Sequence, residues 1–283
     1  MPSSRLLSAS RPLCLFALTA LLTACGGGGG GGDDQAAQAP GGGTVAPPAP
    51  QQQDTGGVSA PFVAQANANP GYFMQGAGAQ IVGRLDTFTQ TASGAMTALN
   101  DTRLTGSPAV TQDIGGDAFY AAGRWTLGTA TSGTGTTVLA GNNAAAHYVA
   151  FNRLAALPTS GTFACNGGSF TSPTYIGGAS VRPADYTGTA TGSATLTFTS
   201  AGAVVSGSYR VQAGSAFETG TLELTVATPT STALNGGYFG GNSGSVVGIG
   251  DGGNGTYLVV ISYTSLLSNG TRYQGVAALR CRA

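Results

Sequence analysis

His147 is the single histidine of the chain, so side-chain acid–base chemistry near neutral pH would rest on it. It stands beside Tyr148 in Ala145–Phe151, a run with strand character. No G-x-S-x-G elbow offers a nucleophile for it to activate. Glu218 and Glu223 are the only glutamates; five residues apart on one strand, they face opposite sides and do not share a substrate. Asp86, Asp101, Asp113, Asp117, Asp185 and Asp251 are scattered. A zinc site needs several His or Cys ligands, which one histidine and four cysteines with other duties do not supply. Gly248-Ile249-Gly250-Asp251-Gly252-Gly253 spells G-x-G-x-x-G, but a dinucleotide site needs a helix next. Thr256-Tyr257-Leu258-Val259-Val260-Ile261 follows instead and reads as a strand, which makes the glycines a hairpin loop. The loop also lacks the acidic spacing of a calcium site. Trp125 and the 10 tyrosines read as packing residues. The expectation is a protein that is not an enzyme and takes no cofactor or metal.

The cysteines are more informative. Residues 1–24 read as an export signal, with Arg5 and Arg11 ahead of the apolar run 13–22. That run, about ten residues, is too short to cross a bilayer of roughly 30 Å as a helix. Leu22-Thr23-Ala24-Cys25 closes it and resembles the bacterial lipobox. The resemblance implies cleavage before Cys25, a diacylglycerol on its thiol and an acylated new N-terminus; the alternative is an ordinary signal-peptidase site. Two or more acyl chains anchor stably where one binds marginally, each buried CH₂ contributing about 0.8 kcal/mol. Gly26, rather than Asp, after the cysteine implies sorting to the outer membrane.

Residues 25–60 read as the lipidated cysteine and a disordered Gly/Pro-rich tether. Seven glycines follow Cys25, and Pro47-Pro48-Ala49-Pro50 favours extended polyproline II. Without large apolar residues nothing offsets the ordering entropy. A tether of about 33 residues has an r.m.s. span of roughly 30 Å and a stretched limit near 110 Å, enough to clear lipid headgroups. The net charge is zero and every basic residue is Arg, in no cluster, which leaves no footprint for nucleic acid.

The body alternates with period two. Ala194, Leu196 and Phe198 oppose Thr195, Thr197 and Thr199, and Leu222, Leu224 and Val226 oppose Thr221, Glu223 and Thr225. Val205, Gly207, Tyr209 and Val211 form one face, and Tyr257, Val259, Ile261 and Tyr263 another. No sustained helical stripe occurs. The separators 200–202, 251–255 and 268–270 are turn chemistry. After residue 158 eight strands are predicted: 161–165, 188–199, 203–212, 217–227, 235–240, 243–250, 256–264 and 271–281. Before it there are about five: 71–75, 80–89, 97–104, 117–128 and 145–154. The fold class is therefore all-β: a C-terminal eight-stranded antiparallel up-and-down barrel at 158–283, preceded by a smaller β-rich region at 61–157. A β-sandwich is the second choice.

With Cys14 in the signal and Cys25 acylated, Cys165 and Cys281 remain. In an oxidising compartment they read as a disulfide, the alternative being two buried thiols. One lies on the first barrel strand and the other at the end of the last. A closed meander makes those strands neighbours, within the 4.4–6.8 Å Cα window of a disulfide.

The whole plan is similar to that of the Gram-negative transferrin-binding and factor H-binding surface lipoproteins. Leu157-Pro158-Thr159-Ser160-Gly161-Thr162-Phe163 resembles their barrel opening. Gly192-Ser193-Ala194-Thr195-Leu196-Thr197-Phe198 resembles the next strand, and Asn235-Gly236-Gly237-Tyr238-Phe239-Gly240-Gly241 a late Gly-Phe-Tyr-Gly segment, with the aromatic order reversed. The lysines common in that family are absent. The resemblance implies a lipid-anchored outer-membrane protein, displayed on the cell surface, whose barrel binds a host protein or other extracellular ligand. It assigns no binding residue. The alternative is an envelope-structural or inhibitor lipoprotein facing the periplasm, with an envelope protein as partner.

Overall fold

The computed structural model describes residues 53–76, 79–133, 135–141, 144–214, 218–229, 234–236 and 243–283, with the backbone alone for 79, 218–229 and 234–236. The signal segment, Cys25 and the tether as far as residue 52 lie outside the described residues. Two antiparallel sheets make up the body.

The first sheet contains β1 (Gly71–Gly76), β2 (Ala79–Arg84), β3 (Phe88–Gln90), β4 (Met96–Leu99), β5 (Thr102–Asp117), β6 (Tyr120–Ser132), β7 (Gly135–Ala140) and β8 (Ala146–Phe151). Their order is β2-β1-β8-β6-β5-β4-β3, with β7 on β6. The sequence reading expected about five strands here. Expected strand 80–89 divides into β2 and β3. Expected strand 97–104 turns at Asn100, whose φ of 52° lets the chain reverse between β4 and β5. Most of β5 escapes a periodicity search because Gly106, Pro108, Gly115 and Gly116 interrupt its alternation. It forms nonetheless, on the buried partner β6, through a ladder whose register shifts at three places.

The second sheet contains β9 (Gly161–Phe170), β10 (Thr174–Gly178), β11 (Gly188–Thr199), β12 (Gly202–Ala213), β13 (Glu218–Pro229), β14 (Leu234–Gly236), β15 (Gly244–Gly253), β16 (Thr256–Leu266) and β17 (Thr271–Arg282). Their order is β13-β12-β11-β9-β17-β16-β15-β14. This is the predicted up-and-down order, with the first strand beside the last. β10 continues along β17 where β9 leaves it, so the two act as one bent strand. Among the described residues no ladder joins β13 to β14, and the barrel seam falls there.

Cys165 and Cys281 are register partners and form a disulfide, their Cα atoms 3.8 Å apart. That is closer than the expected window; the β9–β17 ladder shifts register between Leu279 and Cys281. Inside the barrel pack Leu196, Phe198, Val205, Ile249, Val259 and Ile261, as the alternation predicts.

Tyrosines account for several of the strand glycines. In register, Tyr72 faces Gly83, Tyr148 faces Gly123, Tyr209 faces Gly192 and Tyr263 faces Gly275. A Cβ at Gly123 would come within 2.6 Å of Tyr148 Cζ, and one at Gly275 within 2.8 Å of Tyr263 Cζ. Each ring fills the space of the missing side chain, so ring and glycine together make one packing unit.

The body begins before the residue that composition suggests. Residues 55–63 run along the free edge of β5. Thr55 N donates to Thr111 O at 3.0 Å, Gly57 N to Ile114 O at 2.9 Å and Ser59 N to Gly116 O at 3.0 Å. Asp54 Oδ1 accepts from Thr111 N at 2.7 Å. This segment covers an edge that would otherwise stand open to another chain.

Candidate functional site

The two sheets meet face to face, and their contact gathers most of the buried polar groups of the body. On β1, β8 and β6, alternate residues point toward the barrel: Phe73 and Gln75, His147 and Val149, Ala122 and Arg124. Phe73, Val149 and Ala122 pack with Leu258, Val260 and Val276 from β16 and β17. Those two strands are therefore buried on both faces, one side filling the barrel and the other lying under the first sheet.

Beside this apolar layer runs a polar row. Gln75 and Arg124 are the cross-strand neighbours of His147, so the three side chains lie abreast. Gln75 Nε2 donates to Thr264 Oγ1 at 2.9 Å, and Ser262 Oγ donates to Gln75 Oε1 at 2.7 Å. His147 Nδ1 lies 2.7 Å from Thr171 Oγ1 and its Nε2 2.8 Å from Thr174 Oγ1. Arg124 Nε donates to Asp113 Oδ2 at 2.9 Å, and Asp113 also accepts from Ser172 N at 2.8 Å and Ser172 Oγ at 3.2 Å. Thr171, Ser172 and Thr174 come from the bend joining β9 to β10, so this short segment takes its partners from the first sheet.

His147 is fully enclosed, and both ring nitrogens face threonine hydroxyls, with no carboxylate among its hydrogen-bond partners. Burial, and secondarily the nearby Arg124 charge, push its pKa well below 6.5. A group depressed in this way leaves folding unaffected above the unfolded pKa. Below about pH 6.5 the unfolded chain takes a proton that the folded chain refuses. We expect stability to fall by up to about 1.4 kcal/mol per pH unit between 6.5 and the depressed folded value. Urea midpoints at pH 7.5 and 5.5 measure this, because no second histidine titrates in the window. The His147→Gln variant should lose most of the difference; an unchanged difference would remove His147 as its source.

The remaining candidates are placed as follows. Asp86 pairs with Arg84 at the surface and Asp185 with Arg182. Asp101 accepts from Gly133 N and Asp251 from Gly253 N, both as turn caps. Asp117 is held by Arg280. Glu218 and Glu223 lie on β13, where the backbone alone is described. The G-x-G-x-x-G stretch is the end of β15 and its turn into β16, as expected from the strand that follows. No group of three metal-binding side chains occurs among the described residues. Trp125 is buried and donates to Met96 O at 2.7 Å.

At the surface a cleft of about 420 Å³ opens between the β5–β6 turn, the β15–β16 turn and the end of β17. Arg280 in it is occupied, bonded to Asp117, to Gly252 O and to Thr256 Oγ1. Phe119 packs on Gly253, whose φ of 74° keeps a side chain out. Arg282 is the exposed cation of the cleft. The arrangement offers one exposed guanidinium beside one aromatic ring.

Sequence reasoning missed the polar row, although a signal was present. Leu258 and Val260 make 258–261 continuously apolar, the mark of a strand covered on both sides. Comparison with protein-family models, with curated proteins and with solved structures finds no match to this chain.

Proposed function

We propose that the chain is a lipoprotein held to the outer membrane through Cys25, and that its two-sheet body is a binding module for a host or other extracellular protein. The observation that carries this reading is Leu22-Thr23-Ala24-Cys25 at the end of an apolar run, followed by a tether and then a folded body. The disulfide supports it, since such bonds persist in exported proteins. The sheet contact supports it too: the barrel strands β16 and β17 are clamped between two cores, which suits a surface that must keep its shape on binding. The resemblance to the transferrin-binding and factor H-binding lipoproteins adds surface display.

Metabolic labelling with an alkyne fatty acid tests the anchor. The chain should take the label and sediment with outer membranes, and Cys25→Ala should lose both. Label retained in that variant would refute lipidation at Cys25. Protease added to intact cells then tests orientation: degradation supports display, whereas full protection moves the body to the periplasmic side and its partner with it.

A further inference from the structure

The surface cleft at the disulfide end of the barrel is built from both sheets. Its walls are the β5–β6 turn with Ala118 and Phe119, the β15–β16 turn with Gly252, Gly253 and Asn254, and the end of β17 with Arg280 and Arg282. Ala60, on the segment that covers β5, closes one side. Arg280 and Arg282 alternate with Cys281. Both arginines therefore stand on the outer face, while the cysteine between them points into the barrel and is tied to β9.

The walls are fixed by bonds of their own. Asp117 Oδ1 accepts from Phe119 N at 2.8 Å and Asp251 Oδ1 from Gly253 N at 2.7 Å, and Thr256 Oγ1 donates to Gly253 O at 2.7 Å. Val63 N donates to Ala118 O at 3.1 Å and holds the covering segment against the turn. Asp117 neutralises Arg280, whose guanidinium also reaches Gly252 O and Thr256 Oγ1. Two lining groups are left over. The guanidinium of Arg282 and the carboxamide of Asn254 are both exposed, and neither makes a side-chain hydrogen bond or ion pair among the described residues. Beside them Phe119 is half-buried, with one side of its ring on Gly253.

We infer that this cleft binds a small monocarboxylate with a flat apolar body: Arg282 and Asn254 donate to the carboxylate, and the body lies against Phe119 and the glycines. Among the lining residues only the charge of Arg282 is uncompensated, which matches a single negative charge. The planar fork of a guanidinium fits a carboxylate through two parallel hydrogen bonds, and an aromatic ring favours a flat apolar neighbour. A volume of about 420 Å³ lies within the roughly 300–1,000 Å³ of small-molecule pockets. Because the walls are already bonded, little of the site remains for the ligand to order. The site is independent of the lipid anchor and of any protein partner.

The probe is 2-naphthoate, followed by saturation-transfer NMR on the full chain in detergent against a detergent blank. Saturable binding is expected with a Kd below about 1 mM. Arg282→Gln should weaken it ~10-fold or more, and Arg282→Lys should recover part of the loss, having the charge without the fork. Asn254→Gly should weaken it by a smaller factor, about 2–5-fold, since glycine accepts the φ of 52° at this position and only the carboxamide is lost. Arg282 is exposed, so its variants should show unchanged circular dichroism. On the unaltered chain, 2-naphthamide has the same body without the charge and should bind ~10-fold more weakly; this comparison decides the matter if a variant does not fold. No saturable binding below about 10 mM, equal binding of acid and amide, or equal binding of the acid to folded Arg282→Gln overturns the proposal.

Discussion

Replacing both Cys165 and Cys281 by alanine will lower the stability of the body by about 4–5 kcal/mol, a large share of what a domain possesses. The bond joins residues 116 apart in sequence. Without it the unfolded chain regains the freedom of that whole loop, and chain entropy over a loop of this length gives the figure. The bond also ties the first barrel strand to the last, and in β topologies such distant contacts form late. The double variant should therefore refold more slowly as well as unfold at lower urea. Urea titration of the variant against the oxidised wild type measures the first effect, and stopped-flow refolding the second. A loss under about 1 kcal/mol would mean that the reduced chain already holds β9 beside β17 in its unfolded ensemble.

Asp113→Ala is expected to cost about 3 kcal/mol, and to do so at the junction of the sheets. Arg124 is 4% exposed and Asp113 23%, so the pair is largely but not wholly withdrawn from water. Removing the carboxylate leaves a buried guanidinium without its counter-charge, which costs about 3–5 kcal/mol in a fully buried pair; the partial exposure of Asp113 argues for the lower figure. The same change deprives Ser172 N and Oγ of their acceptor. Adding Arg124→Met to Asp113→Ala should recover part of the loss, because an apolar side chain demands no counter-charge. A double-mutant cycle in urea decides: strict additivity of the two changes would disprove coupling through the pair. We further expect Asp113→Ala to separate the unfolding of the two sheets, so that tyrosine probes in the barrel and Trp125 in the first sheet no longer report one transition.

How much could be read in advance differs between the two halves. Most barrel strands were legible to within one to three residues; β9 runs five residues past expected 161–165, and of expected strand 235–240 residues 237–240 lie outside the described residues. Thr and apolar residues alternate cleanly through 188–212, and Ser200-Ala201-Gly202 and Ser268-Asn269-Gly270 mark the turns. The pairing of Cys165 with Cys281 followed from setting Cys14 and Cys25 aside and from the strand order of a closed meander. The first sheet was harder. β5 carries a proline and several glycines, and it holds together through its partner β6 and the covering segment 55–63. Local pattern does not contain such support. His147, Gln75 and Arg124 are far apart in sequence and give no motif, yet three neighbouring strands set them in one row.

The sequence by itself determined the all-β class, the strand alternation, the hairpin reading of Gly248–Gly253 and the cysteine pair, because each depends on local periodicity, turn chemistry or strand order. Only the tertiary structure decided that β16 and β17 are buried on both faces and that His147 sits between two threonine hydroxyls. It alone stacked the rings of Tyr209, from β12, and Tyr263, from β16, across the barrel interior. Those outcomes depend on which sheet faces which. That choice is made by the summed burial of two apolar surfaces, and no short window of sequence records it.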